Sequence, residues 1–387
     1  MALKLAIFHY FGLLSVAEPA RIHSGLLHTD PSKKQFSFLV RHYFHLNFNV
    51  TTRKHQSNPV TMSTTKSHTT SRSLTYSYIH HPPTSPSKPT LLFLHGFPSG
   101  PHDFFAQITY FTSLGYGALA PHLLGYGPSS HPLDVRAYAY KPMVLDLIEI
   151  LDREDIREVI GVGHDWGSAI LSRLVNYFPE RVTKLVFLDI GYSPPGWGFS
   201  REVVRQTNSG MREGVGWEGF GYFLGMEGEG VGGRMGGVPL SVMSLFYSND
   251  AQVIKDNMGA TGGFEKWLEE GKVAGFEDWV TEDMIAKFKD YFSPANGGFD
   301  AARNWYCSQL EGVNEGDEKE LPPDAAMVKQ PTLLITTDNI ISAMADFPAQ
   351  MKQLVTDLRV EKVGGGHWVM LERKEETNEV LRGFLEG

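Results

Sequence analysis

The chain reads as an α/β protein, a mostly parallel sheet with helices on both faces, interrupted by a helical insertion. Three observations predict this. Short apolar runs bounded by Gly and Pro alternate with helical patterns, the rhythm of strand–helix–strand units. The run Val159-Ile160-Gly161-Val162 enters Gly163-His164-Asp165-Trp166-Gly167 and continues as Ser168 to Leu174, which is a strand, a tight turn and a helix. Between Leu188 and Thr332 the strand rhythm stops. With 387 residues, 42% hydrophobic and 12% aromatic, the chain can bury one large core and an added lid, at roughly 100–250 residues per domain.

The elements follow in order. Leu74-Thr75-Tyr76-Ser77-Tyr78-Ile79 alternates and is rich in β formers, so it opens the sheet. The Pro/Ser stretch Pro82 to Pro89 is a loop. Thr90 to Leu94 is continuously apolar, as a strand buried on both faces should be. Tyr116 to Ala120 is another such run, stopped by Pro121. Asp134 to Leu151 has helical spacing, with Val144, Leu147, Ile148 and Leu151 on one face. After the strand–turn–helix come strands at Lys184 to Leu188, Thr332 to Thr336 and Leu358 to Val363. Residues 65–190 and 321–387 are therefore the two parts of the sheet domain, and 191–320 an inserted helical cap. The glycine-dense stretch from Gly210 to Gly237 is expected to be irregular and mobile.

Residues 1–64 are assigned as an N-terminal extension. Residues 1–61 are expected to be dispensable or not translated, with Met62 the natural start. Two alternatives are a secretory signal, from the apolar run Leu5 to Leu14 before Ser15-Val16-Ala17, and a basic transit peptide. No run reaches the roughly 18 apolar residues of a membrane-spanning helix. The net charge of −9 argues against a nucleic-acid partner. One cysteine, Cys307, allows no intramolecular disulfide; this fits a reducing compartment, and the cytoplasm is the expected location. Cys307 lacks a nucleophile's surroundings and reads as core packing.

The strand–turn–helix resembles the nucleophile elbow of α/β-hydrolases, with aspartate where serine is usual. A carboxylate there can attack a saturated carbon and form an enzyme ester. The helix that follows aims N–H groups at the site, which supports the carboxylate and a later oxyanion. His164 reads as structural. His95-Gly96-Phe97-Pro98 follows a buried strand, where such folds supply a second oxyanion donor; the donors are the N–H groups of Phe97 and Trp166. His367, in Gly364-Gly365-Gly366-His367-Trp368, is the base that the order nucleophile–acid–histidine requires. The acid that orients it is expected at Asp338, after the strand Thr332 to Thr336, with Asp189, after Leu188, as the alternative and Asp346 a distant third. Tyr222 and Tyr306 are lid aromatics whose hydroxyls can donate to an oxygen that becomes an alkoxide.

Together these residues resemble the epoxide hydrolases of the α/β-hydrolase fold, from about residue 72 to the C-terminus. The resemblance is carried by His95-Gly96-Phe97-Pro98, Gly125-Tyr126-Gly127, the elbow, Asn304-Trp305-Tyr306 and Gly366-His367-Trp368. It implies that Tyr306 and Tyr222 activate an epoxide oxygen, that Asp165 opens the ring, and that neither metal nor organic cofactor is needed. The partner is then a small-molecule epoxide. The chain departs from the family at the acid, where Thr336-Thr337-Asp338 is about two residues shorter than usual. The related dehalogenases place an acid where Asp189 stands. A haloalkane dehalogenase is the nearest rival, although Phe97 stands where it often has Asn; a fluoroacetate dehalogenase would have Arg in place of Trp166. A hydrolase-fold protein that binds a ligand without turnover is the rival from another class.

Overall fold

The computed structural model describes residues 64–387; the expectations for residues 1–63 lie outside them. A single eight-stranded sheet has the order β1-β2-β4-β3-β5-β6-β7-β8. Its strands are β1 Thr64–Thr69, β2 Thr75–His81, β3 Thr90–Leu94, β4 Gly117–Pro121, β5 Val159–His164, β6 Val182–Leu188, β7 Thr332–Thr336 and β8 Leu358–Lys362. β1, β2 and β4 pair antiparallel, and every pairing from β4 through β3 to β8 is parallel. The fold class read from the sequence is the one observed. β3, β4 and β5 are buried throughout, which is why their sequences are continuous apolar runs.

β1 is the one strand the sequence reading missed. Its residues, Thr64-Thr65-Lys66-Ser67-His68-Thr69, are polar because it is an edge strand. The helix expected from Asp134 to Leu151 is two pieces. The Asp134 side chain caps a short 3₁₀ turn, Val135–Tyr138, and the α-helix starts at Tyr140 and runs to Arg153. Pro142 then lies in the first turn, where its missing N–H costs nothing.

Between β6 and β7 the chain forms helices and turns but no strand. The expectation of irregular backbone from Gly210 to Gly237 is corrected here. Helix Arg201–Val215 runs through Gly210 and ends at Gly216, whose φ of 82° is a left-handed cap. Val231–Gly237 is also helical despite its glycines. Val231 and Met235 are buried, and a side chain at Gly232 would run into Asp300, so packing overrides propensity. Among the described residues no helix is long and apolar enough to cross a membrane.

In a parallel sheet the carboxyl ends of the strands share one edge. Leu94 pairs with Gly163, His164 with Leu188, Leu188 with Ile335 and Ile335 with Glu361. The loops that follow β3, β5, β6, β7 and β8 are thus neighbours, and the insertion leaves from the same edge.

Candidate active site

Asp165 follows β5 with φ 55° and ψ −122°, a backbone conformation that non-glycine residues rarely adopt. Such a residue stores about 1–3 kcal/mol, and persists because its surroundings over-determine it. Here β5 is held between β3 and β6, and helix Trp166–Tyr177 buries Ile170, Leu171 and Leu174. The turn also needs glycine at 167, where any Cβ would strike the Leu94 carbonyl. The result lifts the Asp165 carboxylate out of the turn and into a cavity of about 550 Å³.

The Phe97 N–H donates to Asp165 Oδ1 at 2.8 Å, and the Trp166 N–H also supports the carboxylate. A side chain at Gly96 would overlap the Asp165 carboxylate, so that glycine lets the β3 loop close on it. Burial raises the Asp165 pKa; the charge of His367 and the two N–H groups offset only part of this.

His367 faces Asp165 from the loop after β8, with Nε2 3.7 Å from Asp165 Oδ2. Its Nδ1 lies 2.6 Å from Oδ2 of Asp189. Asp189 is buried and has φ 64°. Its Oδ1 accepts from Thr337 Oγ1 at 2.5 Å and from Ser342 Oγ at 2.6 Å, and its Oδ2 from Asn339 Nδ2 at 2.7 Å. Burial alone would raise the Asp189 pKa, but the His367 bond and these hydroxyls bring it below the ordinary value. Burial alone would lower the His367 pKa, but Asp189 brings it above its ordinary value.

The preference for Asp338 is corrected by this geometry. The short turn after β7 points the Asp338 carboxylate outward, 2.7 Å from Lys362 Nζ and 3.3 Å from the Gly365 nitrogen. It makes no bond to His367. Its neighbour Asn339 points inward instead, where it caps helix Ile340–Ala345 through Oδ1 and bonds Asp189 through Nδ2. Asp346 begins helix Phe347–Leu354 in a left-handed conformation. The sequence reading missed Thr337, Asn339 and Ser342; Asn before Ile-Ile-Ser is a helix N-cap signal, but nothing local says what else that cap would hold.

His164 is buried beneath His367, with Nε2 2.8 Å from the His367 carbonyl and a pKa pushed down to about 3, first by burial and then by the charge of His367. It is a neutral support.

Tyr306 and Tyr222 line the cavity with Asp165 and His367. Tyr306 is on helix Asn304–Leu310, whose start is anchored to the β4 side of the sheet domain. Trp305 Nε1 donates to the Leu124 carbonyl at 2.9 Å, and Asn304 Nδ2 to that of Leu133 at 3.2 Å. The Asn-Trp-Tyr stretch thus fastens the tyrosine it ends on. The Tyr306 ring meets Trp166 at 4.9 Å, Phe97 at 5.1 Å and Tyr222 at 5.5 Å, all edge to face. Burial above all, with the charge of Asp165 adding to it, raises both phenol pKa values, so each keeps its proton at neutral pH. Cys307 is buried on the same helix, its thiol pushed up to about 11 by burial, and it does not line the cavity.

Residues 91–380 match the model of the alpha/beta hydrolase family. The chain is 39% identical over 106 residues to epoxide hydrolase 3 of Siraitia grosvenorii, a stretch that spans 27% of this chain and 34% of that protein. It is 27% identical over 327 residues to epoxide hydrolase A of Mycobacterium tuberculosis, covering 78% of this chain and 92% of that one. The matched stretch is only about a third of the Siraitia protein's length. Among solved structures, epoxide hydrolase A from Mycobacterium thermoresistibile aligns with a TM-score of 0.68 at 25% identity, covering 84% of this chain and 98% of the other. An epoxide hydrolase of Vigna radiata aligns with a TM-score of 0.65 at 21% identity, covering 84% and 98%, and shares the fold.

Proposed function

The chain belongs to the alpha/beta hydrolase family, and within it we propose that this protein hydrolyses an epoxide to a vicinal diol through an ester on Asp165. The observation that carries this is the pairing, across one cavity, of a carboxylate at the elbow with two buried, protonated tyrosines. The relatives' names support the same substrate class.

In the first step an Asp165 oxygen attacks an epoxide carbon, the carbon–oxygen bond of the ring breaks, and the oxygen takes a proton from Tyr306 or Tyr222. The second step uses His367. Its Nε2 removes a proton from water, and the hydroxide adds to the ester carbonyl carbon. The oxyanion rests on the N–H groups of Phe97 and Trp166, which already reach the resting carboxylate. Collapse breaks the ester bond, His367 gives its proton to the departing alkoxide to complete the diol, and the Asp165 carboxyl, now holding one oxygen from water, returns its proton to the tyrosinate left by the first step. Asp189 fixes the imidazole tautomer, with the proton on Nδ1, and stabilises the imidazolium that forms.

Residues 191–320 are the lid in this reading, because they bring Tyr222 and Tyr306 over the elbow. Phe199, Phe220, Phe223, Ile254 and Met258 give the cavity apolar walls, which suits an uncharged epoxide with hydrophobic substituents.

The test is an intact-mass measurement of His367→Gln mixed with styrene oxide and with stilbene oxide. A stable adduct on the peptide that holds Asp165 is expected. No adduct with either epoxide, together with halide release from haloalkanes by the parent protein, would replace this reading with a dehalogenase.

A further inference from the structure

His367 sits in a glycine-rich loop that belongs to no strand or helix. Such backbone loses much entropy when it is ordered, so something must hold it. Beside the His164 bond to the His367 carbonyl and the Gly365 bond to Asp338, the carboxylate of Glu372, at the end of the short helix Val369–Glu372, does so. Its Oε2 accepts the Gly366 N–H at 2.8 Å and its Oε1 the Trp368 N–H at 3.2 Å. One side chain thereby grips the backbone on both sides of His367.

The same carboxylate reaches into the insertion. Asn249 Nδ2 donates to Glu372 Oε2 at 3.1 Å. Asn249 lies so close that a side chain at Gly366 would overlap its amide. Beside it, the Trp368 indole stacks on Tyr247 at 4.3 Å and donates to the Phe246 carbonyl at 2.8 Å. The loop of the base is therefore clamped between its own helix and insertion residues 246–249.

We propose that Glu372 is a positioning residue for the water-activating step, and that Asn249 ties this position to the placement of the insertion. The inference rests on the epoxide reading above. Hydrogen bonds to a charged acceptor are stronger than those to a neutral one, so this carboxylate can hold a short loop against solvent. Without them the two N–H groups turn to water and the imidazole leaves its line between Asp189 and Asp165. Because His367 acts only on the ester, the loss must fall on ester breakdown and spare ring opening.

The experiment follows the Asp165 ester by rapid acid quench and intact mass in the parent, Glu372→Gln, Glu372→Ala, Asn249→Ala and His367→Gln, with styrene oxide and stilbene oxide as probes. Thermal melting identifies the folded variants. In Glu372→Ala, ester breakdown is expected to slow on the order of 10-fold, within the roughly 10²-fold that a misplacement of about 1 Å can cause. The alkylation rate stays near the parent's, so ester accumulates. Glu372→Gln, which keeps one acceptor oxygen, falls between, and Asn249→Ala shows a smaller slowing of the same step. Parent-like breakdown in folded Glu372 variants overturns the proposal, as does equal slowing of both steps, which would mean general support of the site. If Glu372→Ala does not fold, Glu372→Gln decides by the same criteria. Absence of any adduct in His367→Gln with either probe removes the epoxide reading itself, and this role with it.

Discussion

Nδ1 of His367 lies 2.6 Å from Oδ2 of Asp189, a residue 178 positions earlier in the chain. The bond joins the loop after β8 to the end of β6, across the intervening β7. It crosses β7 because the residues after that strand turn their hydroxyls and amide towards Asp189. Three donors from one segment and the imidazole from another surround a single buried carboxylate.

Replacing Asp189 by Asn should reduce kcat on the order of 10³- to 10⁴-fold, because an amide presents a donor as readily as an acceptor and favours the wrong imidazole tautomer. Asp338→Asn should leave kcat within about two-fold, since an exposed ion pair contributes roughly 0–1 kcal/mol. Steady-state rates of the two variants check this. Loss of turnover in Asp338→Asn alone would reverse the assignment.

The pH profile follows from the directions of the shifts. His367 must be neutral to take a proton from water, and its pKa is raised above the ordinary value of about 6.5. Turnover should therefore climb with pH through that raised pKa and level off above it. The groups facing the imidazole are Asp189, Asp165, Glu372 and His164. Asp189 is the largest of the raising influences, so Asp189→Asn should move the His367 titration to lower pH, read by NMR of the imidazole. A titration at or above the parent's would contradict it.

The same pair links to stability with opposite signs. His367, raised on folding, contributes stability that is present below its unfolded pKa and lost as pH rises through the folded one. Asp189, lowered on folding, contributes stability that is present above its unfolded pKa and lost as pH falls through the folded one. The parent's melting temperature, relative to Asp189→Asn, should thus gain most between the two unfolded values and lose that gain on either side. A pH-independent difference would show that the pair is not coupled to folding.

Tyr306→Phe and Tyr222→Phe should each slow ester formation by roughly 10- to 10²-fold, with a larger loss in the double variant, since proton donation contributes about 10²–10⁴-fold in total. Ester breakdown should be unchanged, because neither hydroxyl serves the water step. Single-turnover rates separate the two. Slowed breakdown with normal formation would place the tyrosines elsewhere in the cycle.

Gly167→Ala should cost at least about 2 kcal/mol of stability, at the upper part of the usual 1–3 kcal/mol for overpacking, because its Cβ meets the Leu94 backbone rather than a side chain that can move. Denaturant midpoints measure it. A neutral Gly167→Ala would show that the elbow has slack its geometry does not suggest.

The buried strands, the elbow with its aspartate, the glycine-borne histidine and the break in rhythm that marks the insertion are all legible in the order of residues along the chain. These are local features, in which apolar runs, glycine spacing and chain order speak for themselves. Which aspartate bonds His367 depends on how the loops after β6, β7 and β8 fold together. Asp189 and Asp338 both follow strands, and a sequence does not say where a carboxylate points once a turn is shortened. Tertiary packing also decides that the glycine-rich Val231–Gly237 is a helix, since the contact with Asp300 that favours it comes from a distant part of the insertion. The clamp of Glu372 on the histidine loop belongs to the same class, for it depends on backbone N–H groups that every sequence has and only folding brings into line.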